Sequence, residues 1–168
     1  MGNSRKYIPR TSSSVEIDLR SRLYPAEPLS TSTRLHPRQI NVATRQPNSR
    51  AVNQRYPFPE NHIGGSSTQP WVHNCLVTVR EGRNTYQYMV FFKRHCLLKS
   101  NQTLSALVGK PSRLCSDAVV MRIGVKAAYV NMRDRDTILA DWLMKKFCRK
   151  NIFTRSCLPT QLTFTKSH

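Results

Sequence analysis

Two neighbouring stretches of the chain alternate apolar and polar residues with a period of two. They cover residues 71–80 and 85–98, and the sequence Glu81-Gly82-Arg83-Asn84 between them contains the Gly and Asn of a turn. Because successive strand side chains point to opposite faces, the pattern predicts a β-hairpin over residues 71–98. Glu-Gly-Arg-Asn differs from the usual two-residue turn sequences, so we expect a loop of three to five residues.

Residues 117–132 alternate in the same way and predict a third strand. The apolar residues from Val119 to Tyr129 fall on one side, whereas Arg122 and Lys126 fall on the other. We therefore expect this strand to have one apolar face and one basic face.

Apolar residues recur at helical spacing between about residues 136 and 150. Asp134 or Asp136 is suited to cap the first free N–H groups, and the basic residues near the end complement the helix dipole. We expect Trp142 to anchor this helix on the sheet. The apolar stripe of the helix consists of Ile138, Leu139, Trp142, Leu143 and Phe147.

Shorter patterns predict two further elements. Residues 103–108, which precede Gly109 and Pro111, are typical of a short helix or turn. Near the end of the chain, Leu162 and Phe164 alternate with threonines and predict a last edge strand.

The first 69 residues differ in composition from the rest of the chain. They contain most of the ten prolines, a Ser12-Ser13-Ser14 run and mostly isolated apolar residues. Ordering a chain costs about 1–2 kcal/mol per residue, and this stretch offers too little apolar surface to offset that cost. We expect a disordered basic arm over residues 1–69, with a hinge at Gly64-Gly65, and a compact basic domain over residues 70–168.

The predicted fold class is therefore α+β. A small antiparallel sheet, which begins with the hairpin, is packed by one amphipathic helix and is preceded by the long disordered arm.

Charge points to the class of partner. The chain has 27 Lys and Arg against 9 Asp and Glu, a formal net charge of +18. Such a surplus attracts polyanions, and the release of counterions from a nucleic acid gives salt-dependent affinity. We expect Tyr86 and Tyr88 of the hairpin to be core residues, with base stacking as the alternative. The predicted site for RNA or single-stranded DNA consists of Arg80, Arg83, Lys93, Arg94, Arg122, Lys126, Lys145, Lys146, Arg149 and Lys150.

Groups suited to catalysis or metal binding are few in the second half of the chain. Cys96 directly follows His95, so their side chains point to opposite strand faces and do not form a nucleophile and base pair. His73 and Cys75 share a face and could join them in a metal site, but the spacing fits no standard zinc pattern. We expect no enzymatic activity, no cofactor and no metal.

The cysteines and the hydropathy pattern bear on location. The five cysteines form no C-x-x-C pair, and the chain shows no signal peptide. We therefore expect a reducing compartment, the cytoplasm or the nucleus, or a virion, rather than secretion. The longest apolar run, residues 89–92, is far shorter than the roughly 20 residues of a transmembrane helix.

In its general organisation, a basic arm ahead of a basic domain, the chain is similar to small viral coat, nucleocapsid and matrix proteins and to ribosomal proteins. We expect a non-enzymatic, self-associating protein of the viral coat or nucleocapsid type that packages or coats nucleic acid. The alternatives are a matrix-type protein that also contacts an anionic membrane, a ribosomal or mitoribosomal protein, and a small metal-dependent regulatory or silencing-suppressor protein.

Overall fold

The computed structural model of the protein describes residues 15–27, 36–46, 56–63, 72–93, 100–150 and 160–166. Strands alternate with two α-helices in these ranges, and short 3-10 helices cover Pro59–His62 and Val125–Ala127. The elements in chain order are β1 (Val15–Tyr24), β2 (Arg38–Gln46), β3 (Tyr56–Pro57), β4 (His73–Glu81), β5 (Asn84–Phe92), α1 (Gln102–Val108), β6 (Ala118–Ile123), β7 (Tyr129–Val130), α2 (Asp134–Arg149) and β8 (Gln161–Lys166).

The strands form one mostly antiparallel sheet. Its order is β3-β2-β1-β6-β5-β4-β8, and β7 pairs with the end of β6. The edge strand β8 is parallel to β4, while the other pairs are antiparallel. The α+β prediction is confirmed, but the sheet is larger than the small one that the sequence predicts.

The predicted hairpin is present as β4 and β5, with a tighter turn than expected. Glu81 pairs with Asn84, so only Gly82 and Arg83 connect the strands. Gly82 has a φ of 58°, the positive value that primed hairpin turns require at their first central position. The expectation of a three- to five-residue loop is wrong, because glycine at this single position is enough to close the turn.

Three strands, β1, β2 and β3, lie inside the predicted arm. β1 pairs with β2 from Val15 to Leu23, and with β6 from Arg22 to Tyr24. Leu19, Leu23 and Tyr24 are buried, so the prediction of a disordered arm is wrong for these strands. The sheet therefore continues across the predicted division between residues 69 and 70. The rest of the predicted arm, including the hinge at Gly64-Gly65, lies largely outside the described residues.

α1 and α2 cover one face of the sheet. Phe92 of β5 and Phe147 of α2 pack edge to face there, with 5.8 Å between their ring centroids. The sheet residues of this core are Tyr24, Cys75, Val77, Val79, Tyr88, Val90, Phe92, Ala118, Val120 and Phe164.

The ribbon formed by β1 and β2 contributes to a second core on the opposite face. Burial on both faces makes β6 a central strand, so the prediction of one apolar and one basic face is wrong for it. Ala118 and Val120 are as deeply buried on the side of Arg122 as Val119 is on the other side. The second core consists of Leu19, Leu23, Val42, Ile63, Phe91, Val119 and Met121.

The predicted main helix is present as α2, but its buried face is rotated from the expected one. Leu139, Leu143 and Phe147 are buried as predicted, whereas Ile138 is 66% exposed. Trp142 is half-buried and packs edge to face on Phe164 of β8, at 6.4 Å between ring centroids. Trp142 therefore covers the edge of the sheet rather than its centre.

The two shorter predicted elements are also present, as α1 and β8. Asn101 caps α1, because its side-chain oxygen accepts a hydrogen bond of 2.8 Å from the Leu104 N–H. The amide nitrogen of the same side chain donates to the carbonyl oxygens of Tyr24 and Ser116, at 3.0 and 2.7 Å. Asn101 thus joins α1 to β1 as well as starting the helix.

Candidate nucleic-acid interface

The ten predicted basic residues do not form one continuous surface. Arg94 and the side chain of Lys126 lie outside the described part of the chain. Arg80 and Arg83 are exposed at the turn of the β4–β5 hairpin, whereas Lys93 is half-buried just beyond the other end of β5. Of the remaining five residues, Arg122 belongs to β6, three belong to α2, and Lys150 directly follows α2.

The densest exposed group is at the end of α2. Lys145, Lys146, Arg149 and Lys150 are all exposed, and we call them the α2 basic end. They form two i, i+4 pairs, 145 with 149 and 146 with 150, so they project from neighbouring turns. None of them forms an ion pair with a carboxylate of the described residues.

Two of these cations lie over aromatic rings. The Lys146 ammonium lies 5.6 Å from the centroid of the Trp142 ring, and the Lys150 ammonium lies 4.8 Å from that of Phe164. A cation held over an aromatic face keeps its charge and its outward donors while losing some of its side-chain freedom. The α2 basic end is therefore a partly ordered cationic surface.

The helix backbone at the α2 basic end lies away from the hairpin turn, although Lys150 reaches Phe164, which pairs with Val79 next to Arg80. The first turn of α2 reaches the hairpin, because Arg135 and Glu81 form an ion pair of 2.7 Å. At about 1.5 Å per residue, the far end of the helix lies roughly 20 Å from this contact. The hairpin turn and the α2 basic end therefore lie at opposite ends of the helix.

Arg122 is packed into the structure rather than set on an open face. Its guanidinium lies 4.9 Å from the ring centroid of Tyr86 and 5.3 Å from that of Tyr88, and its Nε is 3.6 Å from a carboxylate oxygen of Asp136. The Tyr88 hydroxyl donates to the same carboxylate at 2.9 Å. Burial, followed by the negative charge of Asp136, raises the pKa of Tyr88. Tyr88 is a core residue, whereas Tyr86 is half-buried.

Sequence reasoning missed a pair of cavities beside the start of α2, the first of which is lined by Arg122. Each has a volume of about 530 Å³, and both include Asn131 and Arg133 in their walls. The run Arg133-Asp134-Arg135-Asp136 was the available signal, but alone it indicates only the start of a helix. The first cavity is lined by Tyr86, Arg122, Val130, Asn131, Arg133, Arg135 and Asp136. The second is lined by Arg20, Asn41, Asn131, Met132, Arg133 and Asp134.

The less exposed carboxylates Asp141 and Glu81 form hydrogen bonds and ion pairs within the chain. Asp141 of α2 accepts hydrogen bonds from Arg22 and from the Tyr24 hydroxyl, at 2.9 and 2.7 Å. Glu81, which is 7% exposed, binds Arg135 at 2.7 Å and Lys166 at 2.8 Å. These contacts leave the α2 basic end without a neutralising partner among the described residues.

Glu81 supports a prediction about acid stability. Hydrogen bonds from Lys166 and Arg135 lower the pKa of Glu81 from 4.5 to about 2. Its stabilising contribution is therefore complete above pH 4.5 and is lost as the pH falls towards 2. We expect Glu81→Gln to lower the melting temperature at neutral pH and to approach the parent near pH 2. A difference that is the same at every pH would contradict the role of this carboxylate.

The predicted absence of enzymatic activity stays a prediction. His95 and Cys96 lie outside the described residues. Cys75 is buried, and burial raises the pKa of its thiol to about 11, which keeps it protonated at neutral pH. Within the described ranges, no group of three His, Cys, Asp or Glu side chains is arranged to hold a metal ion.

Among the residues that the structure covers, no helix is both long enough and apolar enough to cross a bilayer. Comparison of the chain with protein-family models, with curated proteins and with solved structures finds no match to any of them.

Proposed function

We propose that this protein is a non-enzymatic, viral coat or nucleocapsid-type protein that binds RNA or single-stranded DNA and packages it in a larger assembly. The observation that carries the proposal is the α2 basic end, with four exposed cations and no ion pair among the described residues. Phosphates that replace the counterions of these side chains would bind them with strongly salt-dependent affinity.

The arrangement favours contacts with the backbone of the strand over recognition of bases. Lys and Arg bind phosphate oxygens without reading sequence, and the rings beneath Lys146 and Lys150 are covered by the ammonium groups. Packaging also requires many copies to act together on one strand. We therefore expect weak sequence preference, and self-association that increases when nucleic acid is added.

Filter binding across a series of salt concentrations tests this proposal. For about six phosphate contacts, the log–log salt dependence of the parent should have a slope near −4 to −5. The double variant Lys146→Gln, Lys150→Gln should bind single-stranded RNA at least about tenfold more weakly at low salt. Its slope should be shallower by about 1.4, since each contact on a single strand contributes about 0.7.

A matched control removes the same charge elsewhere. Arg38 and Arg113 are both exposed, one on β2 and one between α1 and β6, so Arg38→Gln with Arg113→Gln should weaken binding much less. If both double variants lose the same RNA affinity, binding depends on the net charge of the protein and not on the α2 basic end. A parent slope flatter than about −2 would contradict nucleic-acid binding as the main activity.

One observation favours a matrix-type protein as a second candidate. Val125, in the 3-10 helix between β6 and β7, is 89% exposed and precedes Lys126 in the chain. An exposed aliphatic residue next to a cationic one suits peripheral contact with an anionic bilayer. Co-sedimentation with phosphatidylserine vesicles that is lost in Val125→Asp, while RNA binding is kept, would support this candidate.

A further inference from the structure

The two cavities adjoin each other, because Asn131 and Arg133 line both of them. The first turn of α2 forms one wall, and the segment between β7 and α2 hydrogen-bonds to Arg20 of β1 through Asn131 and Met132. Asn131 holds the ribbon in place, because its side-chain oxygen accepts a hydrogen bond of 2.8 Å from the Arg20 N–H. We call this site the arginine groove, after Arg20, Arg122 and Arg133 in its walls.

One hydrogen-bond donor of the Arg122 guanidinium lacks an acceptor among the described residues. Its Nη1 atom is buried, and the described residues provide no hydrogen-bond partner for it. Its Nε is 3.6 Å from Asp136, a longer separation than the 2.7 to 2.9 Å of the Glu81 and Asp141 ion pairs. A side chain that is only 18% exposed cannot recover this loss from bulk water.

Asp136 compensates the charge of Arg122, but both of its oxygens also accept hydrogen bonds from other groups. One carboxylate oxygen accepts the Tyr88 hydroxyl, and the other accepts the Arg133 N–H at 2.9 Å, which caps α2. Asp136 is thus held by the core and by the helix start. The charge of Arg122 is therefore compensated, but its Nη1 atom has no hydrogen-bond acceptor among the described residues.

The other charged groups in the cavity walls are Arg20, Arg133 and Arg135, with Asp134 as an exposed carboxylate in the second cavity. Arg20 and Arg133 are exposed, and their side chains form no ion pair among the described residues. The side-chain oxygen of Asn131 accepts the hydrogen bond from the Arg20 N–H, so the amide N–H groups of Asn131 remain able to donate. Guanidinium and amide donors around a concave site match the oxygens of phosphate, and arginine can bind them in a bidentate way.

The shape of the groove favours a chain of phosphates over a single ion. Two cavities of about 530 Å³ follow one another and share Asn131 and Arg133, so adjacent groups of one ligand can occupy both. The Tyr86 ring already contacts the guanidinium groups of Arg122 and Arg135. The groove is therefore better suited to the sugar–phosphate backbone than to base stacking.

We propose that the arginine groove binds consecutive phosphodiester groups of the single-stranded nucleic acid, an inference that rests on the proposed function. The groove holds the strand in one path across the sheet and the ribbon, while the α2 basic end adds charge at a distance. Arg20 and Arg133 provide the phosphate donors, Arg122 adds positive charge in the wall behind them, and Asn131 provides a neutral donor.

The test uses the full chain, a short oligouridylate and two variants of the groove. Arg20→Gln and Arg133→Gln each remove a guanidinium but keep the backbone groups that hydrogen-bond to Asn131 and Asp136. Arg122 is not replaced, because its loss would leave Asp136 unpaired. Arg38→Gln is the matched control, since Arg38 is exposed on β2 and pairs with Leu23, whose side chain faces away from α2.

Each groove variant is expected to bind the oligouridylate about 3- to 10-fold more weakly, with a salt slope shallower by about 0.7. Arg38→Gln should stay within about twofold of the parent. In amide NMR spectra of the parent, the oligouridylate should shift the side-chain signals of Asn41 and Asn131, and inorganic phosphate should shift them more weakly. Melting curves equal to that of the parent show that the variants are folded.

Three results would overturn the inference. If the groove variants match Arg38→Gln while Lys146→Gln, Lys150→Gln loses affinity, the groove is not the site and the proposed function stands. If the parent binds no RNA, both proposals fail. If phosphatidylinositol phosphate vesicles shift the Asn131 signal and the oligouridylate does not, the groove takes a lipid headgroup instead.

Discussion

Deletion of residues 1–46 is expected to prevent the protein from folding, although their composition predicts an arm that adds nothing to stability. The deletion removes β1 and β2, and with them Leu19, Leu23, Tyr24 and Val42 from the two cores. Replacing one buried Leu by Ala costs about 2–5 kcal/mol, whereas a whole domain is stable by only about 5–15 kcal/mol. The combined loss exceeds the stability of the remaining sheet.

Circular dichroism and amide NMR spectra of the chain from residue 47 to residue 168 provide the measurement. We expect no cooperative thermal transition and narrow dispersion of the amide signals. A chain that lacks only residues 1–14 keeps all of β1 and serves as the control, with a melting temperature close to that of the parent. A cooperative transition at the parent temperature in the shorter chain would show that the ribbon does not support the sheet.

The second large effect is expected at Asp141, which joins α2 to β1. Its carboxylate accepts two hydrogen bonds from Arg22, at 2.9 and 3.2 Å, and one of 2.7 Å from the Tyr24 hydroxyl. Asp141→Ala would leave a fully buried hydroxyl and a part-buried guanidinium without this acceptor. We expect a loss of about 3 kcal/mol, or roughly 10 °C in melting temperature for a chain of this length.

Two further variants make the prediction specific to this network. Asp134→Ala removes an exposed carboxylate from the same helix and should cost less than about 1 kcal/mol, through the helix dipole alone. In the double variant Asp141→Ala, Tyr24→Phe, the Tyr24 hydroxyl that lost its acceptor is also removed, so part of the stability should be restored. If Asp141→Ala melts like Asp134→Ala, the contacts to Arg22 and Tyr24 do not stabilise the fold.

Elements with a strong local signal could be predicted from the sequence. The alternation on both sides of Gly82 predicts β4 and β5, and the helical spacing from Leu139 to Phe147 predicts α2. Both patterns reflect contacts between residues that are close in the chain, so no knowledge of distant partners is needed. The short elements α1 and β8 were predicted for the same reason.

The misreadings concern residues whose environment is set by distant parts of the chain. Leu19 and Leu23 look isolated among polar residues, and they become core residues only because the ribbon lies against Val119 and Met121. The helical spacing predicts that Trp142 anchors α2 on the sheet, but Trp142 packs against Phe164 of β8, at the sheet edge. Burial of this kind depends on register and strand order, which local propensity does not contain.

The charge surplus, the hairpin, the main helix and the basic residues that end this helix can be predicted from composition and from local periodicity. The place of β1 and β2 in the sheet, the packing of Arg122 between two tyrosines and Asp136, and the position of Arg20 and Arg133 in the walls of one cavity depend on the folded arrangement of the chain. The reason is that pairing between distant strands brings together residues such as Arg20 and Asn131 that are more than a hundred positions apart. No local pattern in the chain specifies such a contact.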